Sequence, residues 1–538
     1  MVTVSDRSGD IPVDSLEKNL IERVCVGDAV TRVADRYPDR PAIVHGDRAT
    51  TYADLETRTN QLAHALLGLG LARQEVVGVM ARNCTELLVT YFACAKAGLI
   101  CSPVNLGLKG PEIAYCLNDA GARVLIVEDA LADAARALPE ALPHLEWVYW
   151  TGEDAHAEVP KSAGTFDGLV EQGSPESVEV EVHDRDPVQL LYTSGTTAHP
   201  KGVLTSHLAV TMAALSAAIA NRMTAEHSRM ILTLPLFHCA MLNSAAVPLV
   251  TIAGTAILMQ EFEPERTAAL IDEHCADAIV LLPMMYGAML AEPKVRDYDL
   301  SSLTRAVYGM APMPEERMNA IRELFPNADV LLGSGQTEFT PPATFQRPQN
   351  QWDKFASWGP ATNMTRTAIM DDSGNLLPRG EVGELVYRGP MVMNGYLNLP
   401  EKTAESFAQG WFHSGDVAWM DDEGVIWFTD RKKDMIKSGG ENVASIEVER
   451  CLMEHPAVAE AAVVGLPHDH WGEAVTAGVV LKGGASATED ELIDHCRQRI
   501  ADFKAPKAVK LLDEFPRTGT GKIQKHLMRE ELRDLFMG

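Results

Sequence analysis

No surplus of positive charge is available to this chain: 75 acidic residues stand against 47 lysines and arginines, a formal charge of −28. Non-specific attachment to nucleic acid or to an anionic membrane draws on clustered Lys and Arg, so neither is expected as a partner, and an anionic ligand must be met by local cationic sites. Cysteine is scarce, nine in 538 residues, with no CxxC pair and an odd total. That excludes a disulfide framework and a zinc site of the usual spacing, and fits a reducing cytoplasm, the expected location. Long apolar runs are missing as well. Residues 1–14 carry acids and no apolar centre, so no signal peptide is expected. The most membrane-like window, residues 240–259, is interrupted by Asn243, Ser244, Pro248, Thr251, Gly254 and Thr255, and reads as a buried helix followed by a strand. No integral membrane segment is predicted. A Walker loop is also lacking. The lysine of the best Gly/Ser/Thr run follows Pro200, and Gly521-Lys522 is followed by Ile523, with Pro516 where the first glycine belongs.

What remains is an ordinary globular composition, 46% apolar and 23% charged, in a chain long enough for several domains. From about Tyr52 helix and strand patterns alternate. Leu55, Leu62 and Leu66 mark one helical face, residues 76–80 a strand, 87–95 a helix and 124–127 a second strand. A second series follows Tyr192, with apolar strands at 278–282, 306–308 and 330–332 and a helical stretch at 314–325. Such alternation builds parallel sheets, here two doubly wound α/β units reaching to about residue 350. The acidic, turn-rich stretch 152–186 between them reads as a surface crossing. After Trp352 short strands and turns such as Asp371-Asp372-Ser373-Gly374 and Asp421-Asp422-Glu423-Gly424 predict a small β subdomain over 351–430. Past Arg431 a helix at 446–453, a strand at 461–464 and a capping box of Thr488 with Glu491 predict a separate small α+β domain, 432–538, beside the large domain 1–431.

The run from Leu190 to Gly202 puts Thr193, Ser194, Gly195, Thr196, Thr197 and Lys201 directly behind an apolar strand. Glycine lets backbone N–H groups close around phosphate oxygens, hydroxyls add donors and lysine adds a mobile charge. A surface turn has the same composition; the preceding strand and the terminal lysine favour phosphate. A second loop, Gly333-Ser334-Gly335-Gln336-Thr337-Glu338, also follows an apolar strand, so both are expected at the carboxyl edge of a parallel sheet, where ligands bind. There Thr337 is expected to donate to a phosphate and Glu338 to hold magnesium; taken alone the Gln-Thr-Glu run reads as a solvated turn, and it is the first loop beside it that favours the ligand reading. Asp416, flanked by Gly415, suits two ribose hydroxyls, with Arg431 close behind; a β-turn Asp and a surface Arg are the equal alternative. Lys522, between glycines, suits transient charge stabilisation.

With these residues in place the chain resembles the adenylate-forming superfamily, in its acyl-CoA synthetase and fatty-acid–CoA ligase branch, over about residues 28–535. Six motifs agree in order: Tyr192 to Gly202, Pro235-Leu236-Phe237-His238, Gly309-Met310-Ala311-Pro312, Gly333 to Glu338, Ser414-Gly415-Asp416 with Asp430-Arg431, and Pro516 to Lys522. The resemblance implies that a carboxylate attacks the α-phosphate of Mg-ATP to give acyl-adenylate and pyrophosphate, after which the thiol of CoA takes the acyl group. It assigns the pyrophosphate end to Thr193–Thr197 and Lys201, the α-phosphate to Thr337, magnesium to Glu338, and ribose to Asp416 and Arg431. Gly309, Ala311 and Pro312, with Gly333, Ser334, Gly335 and Gln336, fall to the nucleotide. Lys522 bridges carboxylate and phosphate during adenylation. Lys433 is implied as a hinge about which the small domain turns, bringing Ser438, Gly439 and Gly440 to the CoA tunnel. A homodimer is compatible with this reading.

Two departures stand out: Ala198 holds a usual glycine position and Ser334 that of an aromatic expected to stack on adenine. The acyl pocket is expected from Phe237, His238, Met241, Leu242, Met284, Met285, Tyr286, Gly309 and Thr340, with His238 meeting the carboxylate or, alternatively, serving as a core histidine. This apolar, methionine-rich set favours an aliphatic acid, fatty or short and branched. Competing readings are an aryl-acid CoA ligase, an enzyme loading a carrier protein, and a catalytically silent acyl-nucleotide-binding protein.

Overall fold

The computed structural model describes residues 14–152, 155–193, 199–309, 313–517 and 523–536. One large sheet among them runs Ser162–Thr165, Trp147–Trp150, Val124–Val127, Val76–Met80, Ile100–Pro103, Pro187–Thr193, Lys201–Ser206, Gly395–Tyr396. Neighbours are parallel as far as Pro187–Thr193, and the last two pairings are antiparallel. A second large sheet runs Arg48–Thr51, Pro41–His45, Thr255–Leu258, Arg229–Leu232, Ala278–Leu281, Arg305–Tyr308, Asp329–Ser334, Thr344–Phe345, with antiparallel pairs only at its two edges. Every residue of Val76–Met80 is buried, as expected where helices cover both faces and a strand needs no polar alternation. Helix Tyr52–Gly68 begins at a reciprocal Thr51–Asp54 capping box and buries Leu55, Leu62 and Leu66 on one face, against helix Thr85–Ala97.

The third sheet, Gly359–Pro360, Val425–Arg431, Phe412–Met420, Val382–Arg388, Arg366–Met370, is antiparallel throughout. Its acidic turns close as short Asp side chains do. Asp371 Oδ1 accepts from the Ser373 and Asn375 N–H groups, and Asp421 Oδ1 from those of Glu423 and Val425. The fourth sheet is made of residues beyond Lys432. It runs Glu441–Val443, Ile436–Ser438, Gly472–Leu481, Val458–His468, with Ala508–Leu511 parallel to Gly472–Leu481. Helices Ser445–Met453 and Glu489–Arg497 bring Val448, Leu452, Leu492 and Cys496 into the same hydrophobic core, and the Thr488–Glu491 capping box is formed.

The stretch 152–186 is more than a surface crossing. Ser162–Thr165 adds an edge strand, and helix Phe166–Val170 buries Phe166, Leu169 and Val170. Edge strands this short carry too few apolar positions to register as a pattern. Strand Lys201–Ser206 likewise lay hidden behind the hydroxyl-rich loop. Residues 240–259 fold as helical turns followed by strand Thr255–Leu258, and among the described residues no helix is long and apolar enough to cross a membrane.

Candidate nucleotide and acid site

The first loop leaves strand Pro187–Thr193 at its carboxyl end and returns as strand Lys201–Ser206, with Thr193 opposite Lys201. Ser194, Gly195, Thr196, Thr197 and the irregular Ala198 lie outside the described residues. Just beyond them, His199 stacks on Tyr115 with ring centroids 4.6 Å apart, tying the returning limb to helix Gly110–Asp119. That helix also holds the outgoing strand, because the Tyr192 hydroxyl donates to Asp119 at 2.8 Å.

Edge strand Gly395–Tyr396, paired to Lys201–Ser206, brings in a residue the sequence did not single out. The Tyr396 hydroxyl donates to Glu338 Oε1 at 2.9 Å, and its ring sits 4.5 Å from the Lys201 ammonium. Burial first, then the Glu338 charge, holds the Tyr396 phenol well above its ordinary range, so it stays a donor. One aromatic therefore sets the distance between the cation of the first loop and the carboxylate of the second. Glu338 is anchored further by Phe339, whose buried ring lies 4.9 Å from Tyr387 and 5.9 Å from Phe412, and by the Met393 N–H donating to the Glu338 carbonyl at 2.9 Å.

Thr337 is buried, its Oγ1 3.1 Å from Cys239 Sγ. Burial pushes the Cys239 thiol up to about 12, with Thr337 opposing, so it remains protonated and unreactive. His238 caps the short turn Cys239–Met241: its Nδ1 accepts from the Ala240 N–H at 3.3 Å, which leaves the proton of the neutral ring on Nε2. Gly309 and Gly333 end neighbouring strands. A Cβ on Gly309 would come within 2.8 Å of the Gly333 carbonyl oxygen, a backbone atom, so Gly309 has no room for a side chain, while one on Gly333 would press on the Phe345 ring at 3.0 Å. Gln336 Nε2 and Thr340 Oγ1 are buried with no hydrogen-bond partner among the described residues, which is where a polar ligand is needed. Ser334 pairs with Thr344 on the sheet edge and supplies no ring. Ala311 and Pro312 lie outside the described residues.

Asp416 and Arg431 face each other across the β subdomain, with Arg431 Nε 2.9 Å from the buried Asp416 Oδ1. Gly415, at φ +71°, lets the strand turn so that its N–H donates to Glu384 at 3.1 Å. Lys432 bridges Glu384 and Asp372 at 3.0 and 2.9 Å, while the next residue, Lys433, makes no ion pair among the described residues. Burial, opposed by Asp434 and reinforced by Arg431, Arg529 and Lys201, lowers the Lys433 ammonium below its ordinary range. Ser438 and Glu441 close a hairpin whose tip, Gly439-Gly440, has φ +62° and +88°. The Gly439 N–H donates to the Trp471 carbonyl at 2.8 Å. Lys522 lies outside the described residues; Arg517 and Ile523, which flank that stretch in sequence, form an isolated antiparallel bridge.

The acid pocket is only partly assembled as expected. Phe237, His238 and Met285 are half-buried at the carboxyl edge of the second sheet, and Met284 is 64% exposed. Tyr286 instead belongs to the core of that sheet: it is fully buried, its hydroxyl donates to the Val307 carbonyl at 3.0 Å and its ring meets Phe325 edge-on. Met241, Leu242 and Thr340 are also fully buried. Helical periodicity alone does not separate a pocket wall from the layer behind it.

Lys201 of the first sheet and Glu338, which follows the second, thus meet at Tyr396, with the Asp416–Arg431 pair on the third sheet, an arrangement suited to a ligand carrying charge. Residues 30–397 match the family model described as AMP-binding enzyme, and residues 447–522 the AMP-binding enzyme C-terminal domain. The chain belongs to the AMP-binding enzyme family. Among its relatives, the feruloyl-CoA synthase of an Amycolatopsis species is 36% identical over 94% of this chain and 98% of its own. The long-chain-fatty-acid–CoA ligase FadD13 of Mycobacterium tuberculosis is 34% identical over 90% and 93%. The crystal structure of the anthranilate CoA ligase AuaEII in complex with anthranoyl-AMP superposes with a TM-score of 0.86, at 27% identity, covering 95% of this chain and 98% of that one.

Proposed function

We propose that this acyl-CoA synthetase activates an aliphatic acid, fatty or short and branched, through an acyl-adenylate and passes the acyl group to free CoA. The observation that carries the chemistry is the Lys201–Tyr396–Glu338 arrangement, a cation and a carboxylate held by one phenol at the edge where the two loops emerge. Magnesium fits it, since that ion is commonly held by one or two carboxylates together with substrate phosphates, and Glu338 offers one carboxylate beside a phosphate-suited loop. When bound there, magnesium neutralises phosphate charge as pyrophosphate departs.

The chain's own residues do the rest. Lys201, with Thr193 to Thr197, holds the departing end, and Thr337 donates to the α-phosphate. Asp416 accepts from the ribose hydroxyls with Arg431 fixing its carboxylate. His238 Nε2–H meets the acid's carboxylate, and Phe237 and Met285 exclude water from its apolar body. Lys522 supplies positive charge as adenylation proceeds. The small domain then turns about Lys433, and the Ser438–Gly440 hairpin guides the CoA thiol to the carbonyl. The domain division read here is 1–431 and 432–538, a reading supported by the separate sheet and core formed beyond Lys432.

A second reading, an aryl acid, is favoured by a specific observation: the feruloyl-CoA synthase shares more identity with this chain than FadD13 does. Incubation with ATP, magnesium, CoA and a mixed pool of aliphatic and aryl acids, read by mass, separates the two through the acyl-CoA that accumulates first. ATP binding without acid-dependent release of pyrophosphate would sink both.

A further inference from the structure

Asp430, the penultimate residue of strand Val425–Arg431, is 1% exposed, yet it takes no part in the nucleotide site. Its Oδ1 accepts from the Arg431 N–H at 2.7 Å and its Oδ2 from the Ser445 N–H at 2.5 Å. Ser445 opens helix Ser445–Met453, and the residue before it, Ala444, has no side chain able to cap. The first helix of the small domain is thus capped by a carboxylate from the last strand of the large one, where the helix dipole favours negative charge.

The chain of contacts continues. Lys525 Nζ donates to Ser445 Oγ at 2.7 Å and lies 2.6 Å from Glu449 Oε1, one turn along the same helix. Glu449 Oε1 in turn accepts from the Val463 N–H at 2.8 Å, on the central hairpin of the fourth sheet. Lys525 begins helix Lys525–Glu531, three residues after Lys522, and Arg529, one turn further, pairs with Asp434 at 2.8 Å. Asp430 and Asp434, on either side of the connection between the domains, are therefore bonded to two helices of the small domain, the second of which begins three residues after Lys522.

We propose that Asp430, reaching across the domain boundary to the Ser445 N–H, and Lys525, holding the Ser445 hydroxyl from within the small domain, form a latch that keeps the small domain in the present arrangement and so sets the balance between the two half-reactions. Both are positioning residues, acting through the domain that carries Lys522 and the Ser438–Gly440 hairpin. The inference rests on the two-step reading above. Removing the Asp430 carboxylate uncaps the helix N-terminus and removing the Lys525 ammonium frees the Ser445 hydroxyl, so in either case the half-reaction served by the latched arrangement slows while the other holds or gains.

The test compares Asp430→Ala, Lys525→Met and Asp430→Asn with the unaltered enzyme. Acid-dependent ATP–pyrophosphate exchange and thioester formation from supplied acyl-adenylate are measured separately. Asp430→Ala and Lys525→Met are expected to shift the ratio of the two rates by about tenfold in the same direction, a factor equivalent to loss of one charge-assisted hydrogen bond. Asp430→Asn keeps an acceptor for the Ser445 N–H and is expected to restore most of the ratio. Equal loss in both half-reactions, or opposite shifts for the two disruptive variants, overturns the proposal. Amide hydrogen exchange reads the latch without activity: faster exchange over residues 445–448 is expected in Asp430→Ala, and unchanged exchange overturns the latch. If the unaltered enzyme runs neither half-reaction with any acid, the functional reading fails while the exchange measurement still decides the latch.

Discussion

Tyr396 and Glu338 are joined by a 2.9 Å hydrogen bond although 58 residues separate them, and the same tyrosine ring faces the Lys201 ammonium at 4.5 Å. Removing the hydroxyl should therefore loosen the carboxylate while leaving the cation on its ring. For Tyr396→Phe the magnesium concentration needed for half-maximal pyrophosphate release should rise about tenfold, the size of one hydrogen bond to a charged group, with the KM for the acid unchanged. Tyr396→Leu, which removes the ring as well, should in addition weaken Mg-ATP binding measured by calorimetry. A uniform loss of kcat with both constants untouched would contradict the coupling.

The glycine pair at the ends of strands Arg305–Tyr308 and Asp329–Ser334 gives a sharper steric expectation. In Gly309→Ala the new methyl meets the Gly333 carbonyl oxygen at 2.8 Å, a backbone atom unable to rotate aside. The two strand ends must separate by several tenths of an ångström, and the KM for ATP should rise roughly tenfold, more than the KM for the acid. Equal effects on both substrates would place the pair on the acid side.

Histidine 207 makes stability depend on pH. It is fully buried, its Nδ1 accepts from the Val26 N–H at 3.2 Å, and burial lowers its pKa from 6.5 to about 4, against the opposing charges of Asp186, Asp28 and Asp184. The unfolded chain takes up this proton near pH 6.5 and the folded one only near 4, so the contribution is fully present above 6.5 and is lost as pH falls through that window. The loss amounts to about 3 kcal/mol. Denaturant midpoints measured from pH 7 to 4 should fall with this slope, and His207→Asn, which keeps an acceptor for Val26, should flatten it. An unchanged slope in the variant would assign the pH dependence to other groups.

The two doubly wound sheets were legible because buried parallel strands leave continuous apolar runs such as 76–80 and 124–127, and the helix opened by Thr488 in the small domain because its capping box is local. The strands that lead into the two loops of the proposed site were legible in the same way, ending at Thr193 and Ser334. Tyr396 escaped notice for a physical reason. It lies on a two-residue edge strand, without periodicity, and acquires its role only through pairing with Lys201–Ser206. Asp430 was visible only as the neighbour of Arg431, since its cap reaches a helix 15 residues away. Tyr286 shows the converse, an amphipathic residue whose position near the site suggested a wall and whose hydroxyl is committed to Val307. Tyr286→Phe should accordingly cost about 1 kcal/mol of stability and leave acid preference unaltered; a changed order of acids in the mixed pool would return it to the pocket.

The assignment of Lys522 separates the two half-reactions most cleanly. Charge builds on the carboxylate and α-phosphate oxygens only while the adenylate forms, and attack by the thiol on a finished adenylate does not pass through that state. Lys522→Ala should lower acid-dependent pyrophosphate release by about two to three orders of magnitude, as expected when one electrostatic contact to developing charge is removed. Thioester formation from supplied acyl-adenylate and CoA should persist within a few-fold of the unaltered rate. Lys522→Arg keeps the charge but spreads it over a planar fork, so partial recovery of adenylation is expected. If both half-reactions fell together in Lys522→Ala, the lysine would be serving the architecture of the small domain and not the charge on the reacting oxygens.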